Sequence, residues 1–296
     1  MTKPSRPFSV GLVGLDFPGI PLEAAFEAAA EWGAEHLDLY SRENYTRDEV
    51  DEIPALSRRY GVSVRTVGSR AMPCGIGNNV DGELDLMREA LEDAARVGAE
   101  FSETMVGAGD QSEEAAIERY AQLVGPLVDR ARELGVVIVI ENVFHRAGGT
   151  DPTSSVTGLQ ALVEKINDPH AGICWDTANF VVDGGDSYPV PYETLKPWIR
   201  TVHLKDARVR DVDADPRIED TRVMGEPRRK TFAAVPLGSG VVRVDEIVTR
   251  LIADGFGGPV SVELFCEPQR RDWYWCESRP WLEARNLLGA SEAVPL

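Results

Sequence analysis

The chain has 296 residues and a formal net charge of −18, with 31 basic residues against 49 acidic ones. A field of this sign repels the phosphate groups of nucleic acids and of anionic membranes, so we expect neither as a partner. Hydrophobic residues make up 43% and charged residues 27%, the balance of a globular protein that folds in water, and no apolar stretch predicts a membrane span. The four cysteines form no Cys-x-x-Cys pair, which favours a reduced, cytoplasmic protein.

Short apolar runs alternate along the chain with longer amphipathic stretches. The apolar runs predict eight β-strands, within 8–14, 36–40, 63–69, 101–107, 136–143, 171–180, 201–206 and 258–265. The amphipathic stretches predict helices within 21–33, 46–61, 82–98, 112–135, 155–168, 191–199, 243–255 and near 280–288. After the seventh strand we expect an irregular segment from Ala207 to Val235, long enough to serve as a functional lid.

This order of elements predicts the fold class. Strands separated by helices pair in parallel through right-handed crossovers, and eight such units in a chain of this length favour a single (β/α)8 TIM barrel domain over residues 1–296. An open, doubly wound sheet is the alternative, but the glycines of 11–19 lack G-x-G-x-x-G spacing and Asp16 stands where a phosphate would bind. The aromatic cluster at 271–282 is expected to cover the barrel or to form a subunit interface.

Metal-binding residue types stand at the ends of four consecutive predicted strands, from the fifth onward. They are Glu141, Asp176, His203 and Glu263. Chemistry in a TIM barrel lies at the carboxyl ends of its strands, and the alternation of side chains places these residues on the face that looks into the barrel mouth. Each of them alone has an ordinary explanation, as a solvated carboxylate or a hydrogen-bonded core histidine. Their succession along four strands is what indicates a site.

Three carboxylates that converge on one imidazole would repel one another until some took up protons. A divalent cation removes this conflict, and the oxygen and nitrogen ligands suit Mn²⁺, Co²⁺ or Mg²⁺, with Zn²⁺ also possible. A ligand set without thiolates argues against a closed structural zinc site. We therefore hypothesise one divalent metal ion bound by Glu141, Asp176, His203 and Glu263.

Several short motifs resemble the xylose isomerase-like superfamily of sugar phosphate isomerases and epimerases. They are "IENV" with Glu141, "CWDTANF" with Asp176, "VHLKD" with His203, "PVSVELF" with Glu263, and the segment "PLGSGVV" at 236–242. The resemblance implies a TIM barrel that holds one divalent metal ion by these four residues, as in the ketose 3-epimerases. It also implies a carbohydrate substrate, with isomerisation or epimerisation by proton abstraction next to a carbonyl through an enediolate.

The roles of individual residues follow from the resemblance and from ordinary acid–base chemistry. Glu141 and Glu263 are the candidates for moving the proton, in either order. The candidates for binding the substrate are Asn179, Lys205, His145 and Arg208. Asn179 stands where the ketose 3-epimerases often have a histidine, so the identity of the substrate stays open. Asp206 is a candidate for orienting a metal ligand from behind.

The same residues are compatible with other functions. An enediolate with a leaving group on the next carbon eliminates, so a lyase or dehydratase acting on a keto-inositol or a 3-keto-glycoside is the main alternative. A barrel that binds a sugar without turning it over is a second. An endonuclease of the same superfamily would need several zinc ions and many histidines, whereas this chain has four histidines and an acidic surface. The sequence leaves the oligomeric state open, a homo-oligomer included.

Overall fold

A closed barrel of eight parallel strands forms the centre of the protein. The computed structural model describes residues 6–144, 149–182, 184–209, 223–225 and 232–288. The strands follow one another around the barrel in the order β1-β11-β7-β6-β5-β4-β3-β2, and every neighbouring pair is parallel. These barrel strands are β1 Val10–Val13, β2 His36–Tyr40, β3 Ser63–Gly68, β4 Phe101–Thr104, β5 Val137–Glu141, β6 Ala171–Asp176, β7 Ile199–Leu204 and β11 Val260–Val262. The predicted TIM barrel is confirmed.

Helices pack around the barrel and join its strands. Their bounds are α1 Leu22–Trp32, α2 Ile53–Tyr60, α3 Val80–Val97, α4 Glu113–Leu134, α5 Val156–Ile166, α6 Asn179–Val182, α7 Val190–Leu195, α8 Val244–Ala253 and α9 Arg271–Ala284. Most agree with the sequence pattern because apolar positions recur with helical spacing and glycines end the helices. Gly98 and Gly135, which close α3 and α4, adopt φ of +80° and +71°, a conformation that favours glycine. None of the helices in the described ranges is both long and apolar enough to cross a membrane.

The stretch 46–61 is mostly helical, as expected, from a short 3₁₀ turn at 50–52 onward, and Pro54 lies in the first turn of α2, where its missing N–H costs no hydrogen bond. The prediction for the last helix was wrong in its bounds. This helix begins at Arg271, well before the expected start near 280, and continues through Pro280. The aromatic cluster therefore belongs to α9. Its Trp275 is fully buried and stacks on Trp32 of α1, with ring centroids 5.2 Å apart, so it covers the barrel from outside.

The segment after β7 is more regular than expected. Three short strands, β8 Asp206–Val209, β9 Val223–Gly225 and β10 Phe232–Val235, form an antiparallel sheet in the order β8-β10-β9. Extended residues with an antiparallel partner satisfy their backbone hydrogen bonds, which a structureless loop of this length could not do in a buried position. The prediction of an irregular segment was therefore wrong for these strands, while 210–222 and 226–231 lie outside the described residues.

Asp206 holds the "PLGSGVV" segment in place. One carboxylate oxygen accepts hydrogen bonds from the backbone N–H groups of Ala207 and Val242, at 2.9 and 3.1 Å. The other oxygen accepts from those of Gly238 and Gly240, at 3.0 and 2.8 Å. A Cβ atom at Gly240 would lie 2.1 Å from the carboxylate, which explains the glycine. Three of the four bonds go to the backbone of the 236–242 segment, which gives Asp206 a role in anchoring this loop that the sequence did not predict.

Candidate metal centre and active site

The four predicted metal ligands come together at the carboxyl ends of their strands. Glu141 ends β5, Asp176 ends β6, His203 lies one residue before the end of β7, and Glu263 directly follows β11. Each offers a ligand atom within 4.8 Å of the others, and all four side chains are buried. Nδ1 of His203 faces both glutamates, 3.4 Å from Glu141 Oε1 and 3.5 Å from Glu263 Oε2. The parallel register of β5, β6 and β7 sets this geometry, because it pairs Glu141 with Cys174 and Asp176 with His203.

Backbone and amide groups fix the carboxylate of Asp176. Its Oδ1 accepts the backbone N–H groups of Ala178 and Asn179, at 2.8 and 3.0 Å, so Oδ2 is the oxygen that faces the site. Asn142 bridges β5 and β6 behind it, accepting from the Asp176 N–H at 2.7 Å and donating to the Asp176 carbonyl at 3.0 Å. A carboxylate held in this way presents one oxygen in a fixed direction, as a metal ligand must.

Lys205 is buried beside the predicted ligands rather than solvated at the rim. Its side chain is 2% exposed, and its Nζ lies 2.5 Å from Asp176 Oδ2 and 3.1 Å from Glu263 Oε2. The ammonium also lies 5.0 Å from the centre of the Phe265 ring, within the range of a cation–π contact. Lys205 therefore neutralises part of the negative charge of the group and stands within reach of anything bound there.

Asp16, in the short turn after the neighbouring strand β1, supports the end of β11. Its two carboxylate oxygens accept the backbone N–H groups of Leu264 and Phe265, at 2.7 and 2.8 Å. Phe265 adopts φ of +45°, an unusual conformation for a residue with a side chain and one that is often found at functional sites. Burial, with Glu263 nearby, raises the pKa of Asp16 to about 7.

Among the described residues, the charges of the site do not balance. Burial, helped by the neighbouring Glu263 and Glu141, raises the pKa of Asp176 to about 8 in spite of Lys205. Burial also raises the pKa of Glu141 above its ordinary value. Burial opposes ionisation of Glu263 too, but Lys205 and His203 outweigh it and hold the pKa of Glu263 below its usual range. Full ionisation of the three carboxylates would therefore leave excess negative charge among the described residues, which a further cation would relieve.

A divalent metal ion fits this set of donors. Three carboxylate oxygens and one imidazole nitrogen match the ligands that Mn²⁺, Co²⁺, Mg²⁺ and Zn²⁺ take in catalytic sites. Two further buried carboxylates, Asp38 and Glu103, lie beneath the group on β2 and β4, adjacent to His203. Five acidic side chains around one imidazole and one ammonium give a dication a strong electrostatic reason to bind.

The site opens into a small cavity at the barrel mouth. The cavity has a volume of about 170 Å³ and is lined by Leu15, Asp16, Pro18, Glu43, Asn44, Arg70, Glu263 and Phe265. Arg70 follows β3, adopts φ of +51° and pairs with Glu43 at 3.3 Å. Pockets for drug-sized ligands have volumes of about 300–1,000 Å³, so this cavity suits a smaller molecule.

The predicted substrate-binding residues that the structure describes lie in different surroundings. Asn179 is buried at the start of α6, where its side-chain amide donates to the Asn142 carbonyl at 2.7 Å. Lys205 lies in the group as described above. Arg208 lies on β8 opposite Ala233, in the antiparallel sheet rather than in the barrel. His145 lies outside the described residues, so its role stays a prediction.

Sequence reasoning missed the polar residues of the first four strands. His36, Asp38 and Tyr40 alternate with leucines along β2, and Glu103 is the only charged residue of β4. The alternation was a usable signal, since it puts three polar side chains on the inner face of the barrel. It was overlooked because chemistry was sought only at the ends of the last four strands of the barrel.

Comparison with known proteins agrees with this arrangement. Residues 26–285 match the family described as xylose isomerase-like TIM barrel. The chain belongs to this family. No curated protein matches the sequence significantly.

Several solved structures share this fold over nearly their whole length. A D-tagatose 3-epimerase-like protein is 18% identical, with a TM-score of 0.72 and coverage of 94% of this chain and 98% of the other. The IolI protein, solved with a zinc atom, is 15% identical, with a TM-score of 0.75 and coverage of 96% and 100%. The probable 3-DHS dehydratase AsbF from Bacillus anthracis is 15% identical, with a TM-score of 0.70 and coverage of 94% and 100%. At these identities the likeness establishes the shared fold.

Proposed function

We propose that this xylose isomerase-like barrel is a divalent-metal-dependent sugar isomerase or epimerase that moves a proton next to a carbonyl. The observation that carries the proposal is the placement of two glutamates from different strands, Glu141 and Glu263, next to the His203 Nδ1 atom, at 3.4 and 3.5 Å. A dication held by these residues and Asp176 would supply Lewis-acid polarisation of the substrate carbonyl. The fold shared with the D-tagatose 3-epimerase-like protein supports this class of reaction.

The side chains of this chain divide the remaining work. Glu141 and Glu263 come from β5 and from the end of β11, so they approach a molecule in the mouth from different sides. One removes the proton from the carbon next to the carbonyl and the other returns a proton, either to the opposite face or to the neighbouring carbon. Burial keeps both away from bulk water, which limits proton leakage from the enediolate.

Lys205 and Asn179 would bind and orient the substrate. The Lys205 ammonium is already desolvated and directed into the group, so it can donate hydrogen bonds to a substrate hydroxyl or to a developing oxyanion. The Oδ1 atom of Asn179 is buried and accepts no hydrogen bond from the described residues, so it is available to a substrate hydroxyl. The cavity of about 170 Å³ favours a monosaccharide-sized substrate over a long glycan.

The test is a metal-dependent screen in deuterated water. Protein stripped with a chelator and reloaded with Mn²⁺, Co²⁺, Mg²⁺ or Zn²⁺ is incubated with ketohexoses, keto-inositols and 3-keto-glycosides, and proton NMR follows each reaction. Exchange or epimerisation at the carbon next to the carbonyl, without loss of water or aglycone, supports the proposal. Elimination would instead establish the lyase alternative, which has a precedent of the same fold in the probable dehydratase. Metal binding without turnover on any of these compounds would leave a sugar-binding barrel.

A pair of variants assigns the chemistry to the site. Glu263→Gln removes a charge and a proton acceptor while keeping the shape of the side chain, so we expect turnover to fall at least about 100-fold. The matched control is Glu27→Gln on the exposed face of α1, which should keep wild-type turnover. Near-normal activity in Glu263→Gln would remove this residue from the mechanism.

A further inference from the structure

The imidazole of His203 has a second polar neighbourhood, on the side turned away from the site. Its Nε2 lies 3.2 Å from Glu103 Oε2 and 3.8 Å from Asp38 Oδ2. Both carboxylates are essentially inaccessible to solvent, at 1% and 0% exposure. The ring is thus held between two pairs of carboxylates. Glu141 and Glu263 lie near Nδ1, and Glu103 and Asp38 lie near Nε2. Only the first pair belongs to the metal-binding group of the proposed function.

Glu103 is held in place by a tyrosine that crosses an intervening strand. The hydroxyl of Tyr40, at the end of β2, donates to Glu103 Oε1 on β4 at 2.7 Å. Strand β3 lies between them in the barrel, and its Gly68 provides the passage. A Cβ atom at that position would lie 2.3 Å from the Tyr40 ring. The glycine and the tyrosine together leave Oε2 as the oxygen that faces His203.

Asp38 is held by a second, similar arrangement. Ser261 of β11 donates to Asp38 Oδ2, and Nε2 of His36 lies 2.8 Å from the same serine oxygen. Since the serine proton goes to the carboxylate, His36 Nε2 must be the donor to Ser261, and Nδ1 then accepts from Ser9 Oγ at 2.7 Å. Strand β1 separates His36 from Ser261, and a Cβ atom at Gly11 would lie 2.2 Å from the imidazole of His36. Two glycines therefore make room for two chains of hydrogen bonds that end on carboxylates next to His203.

Burial of Asp38 and Glu103 costs free energy, so a functional reason for it is expected. Each buried carboxylate loses its hydration, and these two lie directly beneath a group that already contains three. A purely structural barrel interior could be apolar, as it is at Phe101, Val139 and Cys174 of β4, β5 and β6. What Asp38 and Glu103 share is their proximity to one atom, Nε2 of His203.

We propose that Glu103, with Asp38, is a positioning residue that keeps the proton of His203 on Nε2, so that the lone pair of Nδ1 is directed at the metal-binding group. This inference rests on the metal centre of the proposed function. Histidines that bind metals commonly donate their other N–H to a carboxylate, which fixes the ring and makes the ligating nitrogen a better donor. Tyr40 then acts through Glu103 by fixing which carboxylate oxygen meets the ring.

The same atoms could be read as ligands of a second metal ion, since Glu103, Cys174 and His203 also lie within 4.8 Å of one another. One observation favours positioning of His203 over a second metal ion. The Tyr40 hydroxyl already occupies one Glu103 oxygen. The other, Oε2, lies 3.2 Å from His203 Nε2, and neither of these two buried atoms has another hydrogen-bond partner among the described residues.

The test replaces Glu103 by its isostere and measures metal binding and the histidine proton separately. In Glu103→Gln, the Tyr40 hydroxyl would keep the amide oxygen, so the amide NH₂ would face His203 and turn Nε2 into an acceptor. We expect the affinities for Zn²⁺ and Co²⁺, measured by competition with a chromophoric chelator, to fall about 10- to 100-fold. Nitrogen-15 NMR of the full chain, which has four histidines, should show a protonated Nε2 on His203 in the wild type and its loss in the variant, with or without Mg²⁺.

A matched control tests a similar contact outside the barrel. Tyr45 donates to Asp93 at 2.9 Å, also in a buried position, and Asp93→Asn should change neither the metal affinity nor the His203 signal. An unchanged affinity or an unchanged Nε2 proton in Glu103→Gln would overturn the proposal. So would a second equivalent of metal in the wild type that disappears in Cys174→Ser. If the wild type binds no metal at all, the proposed function fails, and the NMR signal alone decides the role of Glu103.

Discussion

Replacement of Asp206 by asparagine should destabilise the loop that connects β10 to α8. The carboxylate accepts four backbone N–H groups, two on each oxygen, at 2.8 to 3.1 Å. Asparagine keeps one acceptor oxygen and places an NH₂ group against the other two donors. A buried donor left without a partner costs about 1–3 kcal/mol, so the two lost bonds should lower the free energy of unfolding by about 2–6 kcal/mol.

Urea denaturation followed by circular dichroism measures this loss directly. The fluorescence of Trp281 should report the loop itself, because a Cβ atom at Gly238 would lie 2.3 Å from its indole ring. Asp48→Asn, at an exposed position before α2, is the matched control and should lie within about 0.5 kcal/mol of the wild type. A loss below about 1 kcal/mol in Asp206→Asn would refute the anchoring role and reopen the possibility that this carboxylate serves the metal centre.

Three further predictions concern the barrel interior and its cover. Because burial raises the pKa of Asp16 to about 7, above its value near 3.9 in an unfolded chain, its contribution to stability is complete below about pH 4 and lost as the pH rises to about 7. We therefore compare the unfolding free energies of the wild type and Asp16→Asn, both measured without metal. Between pH 5 and pH 8, the wild type should lose about 3 kcal/mol relative to the variant. A difference that does not change with pH would contradict this. Gly68→Ala should displace the Tyr40 ring, lower the metal affinity, and lower the free energy of unfolding by about 1–3 kcal/mol. An unaltered metal affinity would show that Tyr40 is dispensable. Trp275→Ala should cost about 3–5 kcal/mol in thermal or urea unfolding because the stacked indole is fully buried, and a loss under about 1 kcal/mol would show that α9 does not stabilise the barrel.

The fold and the convergence of the four candidate ligands were predictable because they depend on local patterns. Apolar runs separated by amphipathic stretches predict parallel strands, and parallel strands bring their carboxyl ends together whatever the register of each pair. Glu141 and Asp176 could therefore be placed side by side from spacing alone. The short strand ending at Val262 still left Glu263 in position, since one residue beyond a strand does not change the direction in which the chain leaves the barrel.

Contacts that cross a strand could not be predicted in this way. Tyr40 reaches Glu103 only because β2 and β3 pair with a register shift and Gly68 lies beneath the tyrosine ring. The role of Asp206 likewise depends on a turn more than thirty residues away in the sequence. The backbone N–H groups of two glycines in that turn donate to its carboxylate, a contact that the sequence does not reveal. Lys205 was ambiguous in the sequence because a lysine after a strand is usually solvated, and only the closed barrel shows that its ammonium is enclosed by Asp176 and Glu263.

The number of buried carboxylates leads to a final expectation, that metal binding and folding stability are coupled. Asp176 with a pKa of about 8 must release a proton before it can bind a cation, so apparent metal affinity should increase as the pH rises toward 8. A ligand present at 100 times its dissociation constant stabilises the folded state by about 2.7 kcal/mol, which corresponds to about 5 °C in melting temperature for a domain of this size. Thermal unfolding with and without a chelator measures the effect, and Glu263→Gln should reduce it because one ligand is lost. A melting temperature that is independent of metal at pH 8 would mean that these acidic side chains share protons instead of a cation, and the proposed chemistry would then have no basis.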